Sequence, residues 1–373
     1  MKVAITGGFG FLGWHTACRL RALHQDVEVV RLGRDDFADA DGLAVTLADV
    51  DAVVHIAGVN RADSDEAVEQ GNVRLAEDLS AALVRGGRAV DVVFANSVQA
   101  QLDNPYGRGK ARAAELLAAT AEVLGSRFAD LLLPNLFGEH GRPGYNSFVA
   151  TFAHAVATGQ APTVSDDRAI ELLHAQDAAA ELIAAIGTEG SRVVAGEPVL
   201  ISDVLAAFEE FRACYQSGGD LPDLGSTMRR NLFNTFRAAT FPQMWPIHPK
   251  VNADPRGELF ETVRVLGGQG MAYMSTTRPG QKRGEHYHLH KVERFVVVSG
   301  EAEIQLRRLW HDEVVTFRVS GQRPAIVDMP ALWVHNIRNV GEGDLVTMFW
   351  SDQLLDPDNP DQFPEMIAQE ASA

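Results

Sequence analysis

Two unrelated chemical signatures stand at opposite ends of this 373-residue chain, and together they call for two folds. Residues 7–13 read Gly-Gly-Phe-Gly-Phe-Leu-Gly, directly after the apolar run Val3–Thr6 and before the helical pattern Trp14–Leu23. Residues 280–300 read Gly-x5-His-x-His-x4-Glu-x6-Gly, a spacing suited to a metal held in a small β-barrel. The length also exceeds what one ordinary core holds. The Pro- and aromatic-rich stretch Phe241–Pro249 breaks the helical pattern of 202–240 and is read as the linker. The expected division is therefore 1–243, an α/β dinucleotide-binding domain, and 244–373, an all-β domain.

The formal net charge of −17 argues against a nucleic-acid partner, because phosphate backbones need basic surface. It leaves room for one phosphorylated small ligand held by local arginines and backbone amides. Cys18 and Cys214 are too few for a disulfide framework and lack metal-ligand spacing. No apolar run is long enough for a membrane span, and the opening Met-Lys-Val-Ala-Ile-Thr has no signal-peptide character. A cytoplasmic enzyme without a membrane partner is expected.

A strand, a glycine turn and a helix form the context in which a Gly-x2-Gly-x2-Gly run binds a dinucleotide. Gly7 would allow the tight turn and Gly13 the close packing of helix on strand. Gly10, Phe11, Leu12 and Gly13 then present their amides to a pyrophosphate at the helix N-terminus. The next strand, Val27–Leu32, carries Arg31 near its end, with Arg34 close by. An arginine here suits a ribose 2′-phosphate, so NADPH is expected rather than NADH. Asp51–Ala57 and Val90–Ala95 read as further buried strands with the helix Glu66–Arg85 between them. This alternation predicts a doubly wound parallel sheet, with chemistry at the carboxyl ends of its strands. Ala57 and Ser97 fall at such ends. Tyr106 and Lys110, at i and i+4, share a helix face. The ammonium is expected to lower the pKa of the phenol for proton transfer, while Ser97 holds the substrate oxygen.

In the C-terminal third, Ala272–Ser275, Arg294–Val298, Ala302–Leu309 and Val314–Val319 read as short strands between Gly and Pro turns, implying a barrel. His286 and His288 point to one face of a strand, Glu293 opens the next, and His335 follows in Pro330-x-Leu-x2-His. Three imidazoles and one carboxylate can close around a divalent cation, with Zn²⁺ first among Zn²⁺, Fe²⁺, Ni²⁺ and Mn²⁺. His290 is read first as a satisfied surface histidine, with a substitute ligand or an acid/base as the alternatives.

With its glycine turn, Ser97 and Tyr106-x3-Lys110, the first part resembles the extended short-chain dehydrogenase/reductase family, which acts largely on nucleotide-sugars. The resemblance implies that Tyr106 is the acid/base, that Lys110 assists it and binds the nicotinamide ribose, and that Ser97 orients the carbonyl. It places Asn135, Arg142 and Asn146 at the sugar-nucleotide. The second part resembles the cupin superfamily, from which Leu332 departs by standing where many cupins place Gly. Asp254-Pro-Arg256-Gly257 is similar to the opening of cupin-type sugar-nucleotide epimerases, which implies that Arg256 faces the substrate diphosphate. The whole chain resembles the bifunctional capsular-polysaccharide enzymes of the CapF/WbjC type. That implies C3 epimerisation of a UDP-2-acetamido-2,6-dideoxy-4-keto-hexose in the cupin, NADPH-dependent reduction of the C4 ketone in the reductase, and a homodimer. The alternative is a monofunctional 4-ketosugar reductase whose cupin only binds sugar or pairs subunits.

Overall fold

Val3, Ala4 and Ile5 are fully buried, as a central parallel strand requires. The computed structural model describes residues 1–367. In it, β1 (Lys2–Thr6) lies between β2 (Glu28–Leu32) and β3 (Ala52–His55). The sheet continues through β4 (Asp91–Ser97) and β5 (Phe128–Leu133) to the strand Gly190–Val193, and every pairing is parallel. Helices α1 (Phe11–Leu23), α2 (Arg34–Ala38), α3 (Ala40–Ala48), α4 (Asp65–Gly86) and α5 (Pro105–Leu124) fall between these strands. Leu47, Val53, Leu79, Val92 and Leu117 belong to one buried cluster between sheet and helices. The chain leaves β1 to opposite sides through β2 and β3. The crevice outside the carboxyl ends of β1 and β3 is therefore the topological switch point, where doubly wound sheets bind ligands.

The second architecture is antiparallel. One sheet orders Met271–Thr277, Leu345–Ser351, Glu293–Ser299 and Ile326–Met329. The other orders Val314–Ser320, Glu301–Arg308, Trp333–Asn339, Lys282–Tyr287 and Phe363–Pro364. This is the cupin-like β domain that the histidine spacing implied.

By its contacts the chain divides elsewhere than at residue 243. One unit is Met1–Phe137, Tyr145–Ser147 and Arg168–Leu200; the other is Gly138–Gly144, Phe148–Asp167 and the chain from Ile201 onward. The helices Ile201–Gln216 and Thr227–Thr240 thus pack with the barrel. The reason is polar as well as apolar. The Tyr215 hydroxyl donates to Asp328 Oδ2 (2.9 Å), and Asp328 makes a fully buried pair with Arg294. Asn234 Nδ2 donates to the His290 carbonyl at 2.7 Å. The stretch 241–249, read as a linker, is also built in, since Ile247 and Ile326 exchange both backbone hydrogen bonds. Phe241 lies 4.6 Å, ring to ring, from Trp333.

Candidate functional site

In the first unit, the glycine turn behaves as its spacing requires. Gly7 sits at φ +65°, and a Cβ at Gly13 would overlap the Gly7 carbonyl oxygen. Gly10 caps α1 without a side chain, which leaves the first amides of the helix, from Phe11, Leu12 and Gly13, without a side-chain cap. The Thr6 hydroxyl accepts from the amides of Ile56 and Ala57, both at 3.1 Å. Its single proton therefore goes to His55 Nδ1, 2.8 Å away. This ties Ala57 to the end of β1. His55 is buried and stacked on Phe94, and burial followed by Lys110 pushes its pKa down to about 3, so it stays neutral. Arg31 lies half-buried with its guanidinium 4.6 Å from the Phe9 ring, beside the turn; Arg34 opens α2, exposed. A dinucleotide fits these residues: unfilled amides, glycines that a Cβ would block, and an arginine at the end of β2.

Ser97 is the last residue of β4, and its hydroxyl oxygen accepts from Gln99 N at 3.2 Å. Its proton remains to donate. Asn104 caps α5, with Pro105 at the first position and Tyr106 in the first turn. A Cβ at Gly107 would overlap the Gln99 carbonyl, so glycine lets this turn sit against the one that follows Ser97. Lys110 is buried, donates to the Ala95 carbonyl at 2.7 Å, and stands 4.1 Å over the Phe94 ring.

The expected lowering of the Tyr106 pKa is not what the protein alone produces. Burial pushes the phenol up to about 12, and pushes Lys110 down to about 7 against the pull of Asp130. A lysine that loses its own charge by desolvation cannot strongly acidify its neighbour. The sign of the linkage is checkable. Lys110 binds fewer protons in the folded than in the unfolded protein between about pH 7 and pH 10.5, and is protonated in both below that window. Its burial therefore costs most stability at acid pH, and stability rises through the window 7–10. In urea unfolding without cofactor, the wild type should gain about 2–3 kcal/mol relative to Lys110→Met between pH 6 and pH 9.

Asn135 opens the short strand Asn135–Phe137, exposed, and its amide reaches the Glu171 carbonyl at 3.4 Å. Asn146 accepts from Arg61 Nε at 3.0 Å, and the Arg61 guanidinium lies 5.4 Å from the Tyr145 ring. Arg61 thus joins the loop after β3 to the 145–147 segment. Its role had no spacing rule to reveal it. Arg142 belongs to the 138–144 segment of the other unit.

In the second unit, His286, His288, Glu293 and His335 come together, with one ligand atom from each within 4.8 Å of the others. The register explains it. His286 is paired with His335 across two strands, and Glu293 begins the next strand. Nε2 of His288 (3.2 Å) and Nε2 of His335 (3.1 Å) both face Glu293 Oε2. Their outer nitrogens donate to main-chain carbonyls, Nδ1 of His288 to Asp361 and Nδ1 of His335 to Trp333. His286 Nε2 is buried with no hydrogen-bond partner. An orphaned imidazole nitrogen aimed among two others and a carboxylate is what a divalent cation would satisfy. Burial works to lower the His288 pKa, but the Glu293 carboxylate outweighs it and raises it. Burial works against the charge on Glu293, yet His288 and His335 hold it well below its usual range. Burial, then His335 and His288, push His286 down to about 3.

Two further groups had no sequence signal. Tyr273, two strands away in the same sheet, donates to Glu293 Oε1 at 3.1 Å. Asp361 contacts the loop between His288 and Glu293. Arg256, expected to face a diphosphate, sits at the turn of the hairpin Val251–Asp254/Gly257–Phe260, its side chain 90% exposed and paired with Asp254. Leu332 resolves its own anomaly. It takes φ +65°, the conformation a glycine would supply, and is fully buried. Backbone hydrogen bonds from Leu332 N to the His288 carbonyl (2.8 Å) and from Leu309 N to the Leu332 carbonyl (3.1 Å) hold it there. A left-handed leucine costs about 1–2 kcal/mol, whereas truncating a buried leucine costs about 2–5 kcal/mol. Leu332→Gly is therefore expected to destabilise less than Leu332→Ala, by about 1 kcal/mol, although it removes more atoms; denaturant midpoints of the two variants check this.

Among the described residues, no helix is long and apolar enough to cross a membrane. Residues 3–201 match the model of the NAD dependent epimerase/dehydratase family, and residues 252–363 that of the polysaccharide biosynthesis C-terminal domain. Over 377 residues the chain is 31% identical to UDP-2-acetamido-2,6-beta-L-arabino-hexul-4-ose reductase of Pseudomonas aeruginosa, covering 100% of each. It is 27% identical over 120 residues to the spore coat polysaccharide biosynthesis protein SpsL of Bacillus subtilis, covering 30% of this chain and 80% of that one. The crystal structure of the capsular polysaccharide assembling protein CapF from Staphylococcus aureus matches with a TM-score of 0.64 at 30% identity, over 98% of this chain and 100% of that chain. The first family model falls on the parallel sheet and the second on the antiparallel strands, the Pseudomonas aeruginosa and Staphylococcus aureus matches run the length of both, and the chain belongs to the NAD dependent epimerase/dehydratase family, in its two-part CapF type.

Proposed function

We propose that the first unit reduces the C4 ketone of a UDP-activated 2-acetamido-2,6-dideoxy-4-keto-hexose with NADPH, and that the barrel epimerises C3 of the same sugar around a divalent cation, Zn²⁺ first. The observation that carries the reductase reading is Tyr106 in the first turn of α5, set by Gly107 against the turn after Ser97, at the carboxyl end of β4. The whole-length relative from Pseudomonas aeruginosa is a reductase of such a UDP-ketosugar. When bound, the nicotinamide supplies the hydride. Ser97 donates a hydrogen bond to the C4 oxygen and orients it, keeping its own proton. Tyr106, kept protonated by burial, gives its phenolic proton to that oxygen as charge develops. Lys110, its ammonium over the Phe94 ring, would hold the nicotinamide ribose. Arg31, at the rim of the glycine turn, takes the 2′-phosphate, and this carries the choice of NADPH. Asn135, Arg142, Asn146 and Arg256 remain the candidates for the sugar-nucleotide.

The orphaned His286 Nε2 supports a cation in the barrel. When bound, that cation supplies electrophilic stabilisation to a carbonyl whose α-hydrogen is removed. His286, His288, Glu293 and His335 hold it. The second reading, a reductase with a non-catalytic barrel, is favoured by the name of the Pseudomonas aeruginosa relative, which is that of a reductase alone. Incubation of the full chain with the ketosugar in D₂O, followed by NMR, separates the two. Deuterium at C3 without NADPH, then C4 reduction on its addition, is expected. Reduction without C3 exchange would leave the barrel without an epimerase role. A cytoplasmic homodimer completes the proposal.

A further inference from the structure

Four backbone amides lie between His288 and Glu293, and each is held by a carboxylate from much farther along the chain. Asp361 Oδ1 accepts from Leu289 N at 2.8 Å. Asp361 Oδ2 accepts from His290 N at 3.0 Å and Lys291 N at 2.8 Å. Asp352 Oδ1 accepts from Val292 N at 2.9 Å. The same Asp361 offers its main-chain carbonyl to His288 Nδ1 at 2.5 Å. Lys291 Nζ closes the connection from the other side, donating to the Pro360 carbonyl at 2.5 Å. Asp361 adopts φ +42°, a backbone angle that non-glycine residues seldom take, so the turn is held by these bonds rather than by its own preference. Two residues on, Phe363 and Pro364 pair with Tyr287 and His286, the strand that carries the first ligand.

We propose that Asp361 is a positioning residue for the cation site. Its carboxylate sets the path of the loop joining His288 to Glu293, and so the separation of those two ligands. By fixing that turn it also aims its own carbonyl at Nδ1, which commits the His288 proton to the outer nitrogen and leaves Nε2 as the ligand. Pre-shaping the loop removes an ordering cost that the cation would otherwise have to meet. The chemistry used is that of a carboxylate accepting several amide bonds at once, stronger than neutral acceptors would be. The inference rests on the cation reading of the four ligands.

The test measures Zn²⁺ affinity of the full chain by competition with a chelator, together with the visible absorption of the Co²⁺-loaded protein, which reports ligand geometry. Asp361→Ala should lower Zn²⁺ affinity about 10–100-fold, and change the Co²⁺ spectrum. Asp361→Asn, nearly the same size but with one acceptor oxygen fewer, should fall between this and wild type, and decides the matter if the alanine variant does not fold. Glu365→Gln, on the same segment, breaks the pair with Arg307 and should leave affinity within about two-fold of wild type. Wild-type affinity and spectrum in both Asp361 variants would overturn the proposal, and so would an equal loss in Glu365→Gln. A wild-type chain that takes up neither Zn²⁺ nor Co²⁺ would overturn the cation reading itself, which separates that failure from failure of the positioning role.

Discussion

Tyr106→Phe is expected to lower kcat for reduction of the C4 ketone by about 10²–10⁴-fold, with the dissociation constant for NADPH changed by no more than a few-fold. The ring and its burial remain; only the proton donor is lost. A loss of that size corresponds to roughly 3–5 kcal/mol of transition-state stabilisation, which one general acid can supply. The geometry makes Tyr106 the donor. It follows Pro105 at the start of α5, where Asn104 caps the helix, and burial holds the phenol protonated across the neutral range. Single-turnover reduction, followed by NADPH absorbance, gives the chemical step free of product release. The variant should keep its cation and its C3 exchange in D₂O unchanged, because the barrel ligands lie in the other unit. A phenylalanine variant that reduces the ketone at the wild-type rate would remove Tyr106 from the chemistry and leave Ser97 as the remaining hydroxyl donor of the site.

What the sequence made legible is what local spacing encodes. The glycine turn, the Tyr-x3-Lys helix face and the His-x-His strand each place their residues through a helical or strand period, and the structure puts them at a switch point and in a barrel. Arg61, Tyr273 and Asp361 reach their partners across 85, 20 and about 70 residues, and no period records such contacts. That contacts group residues 201–240 with the barrel has a related reason. The helical pattern of 202–240 shows an apolar face without showing what covers it. Here the covering partner is the barrel, joined through buried polar groups, Tyr215 to Asp328 and Asn234 to His290, that a sequence reading assigns to solvent. Leu332 shows the converse: a residue that departs from the expected glycine keeps the glycine's backbone angle, because hydrogen bonds at its amide and its carbonyl fix it. Tyr106 and Lys110 do lie on one helix, yet the phenol is pushed the other way from the expectation, since burial outweighs a charge that is itself half lost.

The double variant His286→Ala/His288→Ala is expected to abolish cation retention and C3 deuterium exchange together, while reduction of the C4 ketone continues at close to the wild-type rate. Four ligand atoms lie within 4.8 Å of one another, and removing two of the three imidazoles leaves Glu293 and His335, too few to close a structural or catalytic site. The loss in affinity should exceed the effect expected of Asp361→Ala, because ligands are removed rather than misplaced. Stability need not fall in step. Without a cation, His286 Nε2 is an unpaired buried group, and Glu293 is held ionised against its burial by His288 and His335. Alanine at 286 removes the first cost, whereas alanine at 288 removes a partner of a buried carboxylate, so the single variants should diverge, His286→Ala being the milder for the cation-free protein. Metal analysis, C3 exchange by NMR and NADPH consumption on one preparation distinguish the outcomes. Exchange lost with reduction retained makes the barrel a second catalytic centre. Exchange retained at the wild-type rate without the cation moves the proton transfer away from these ligands, and the barrel becomes a domain that binds the sugar rather than one that changes it.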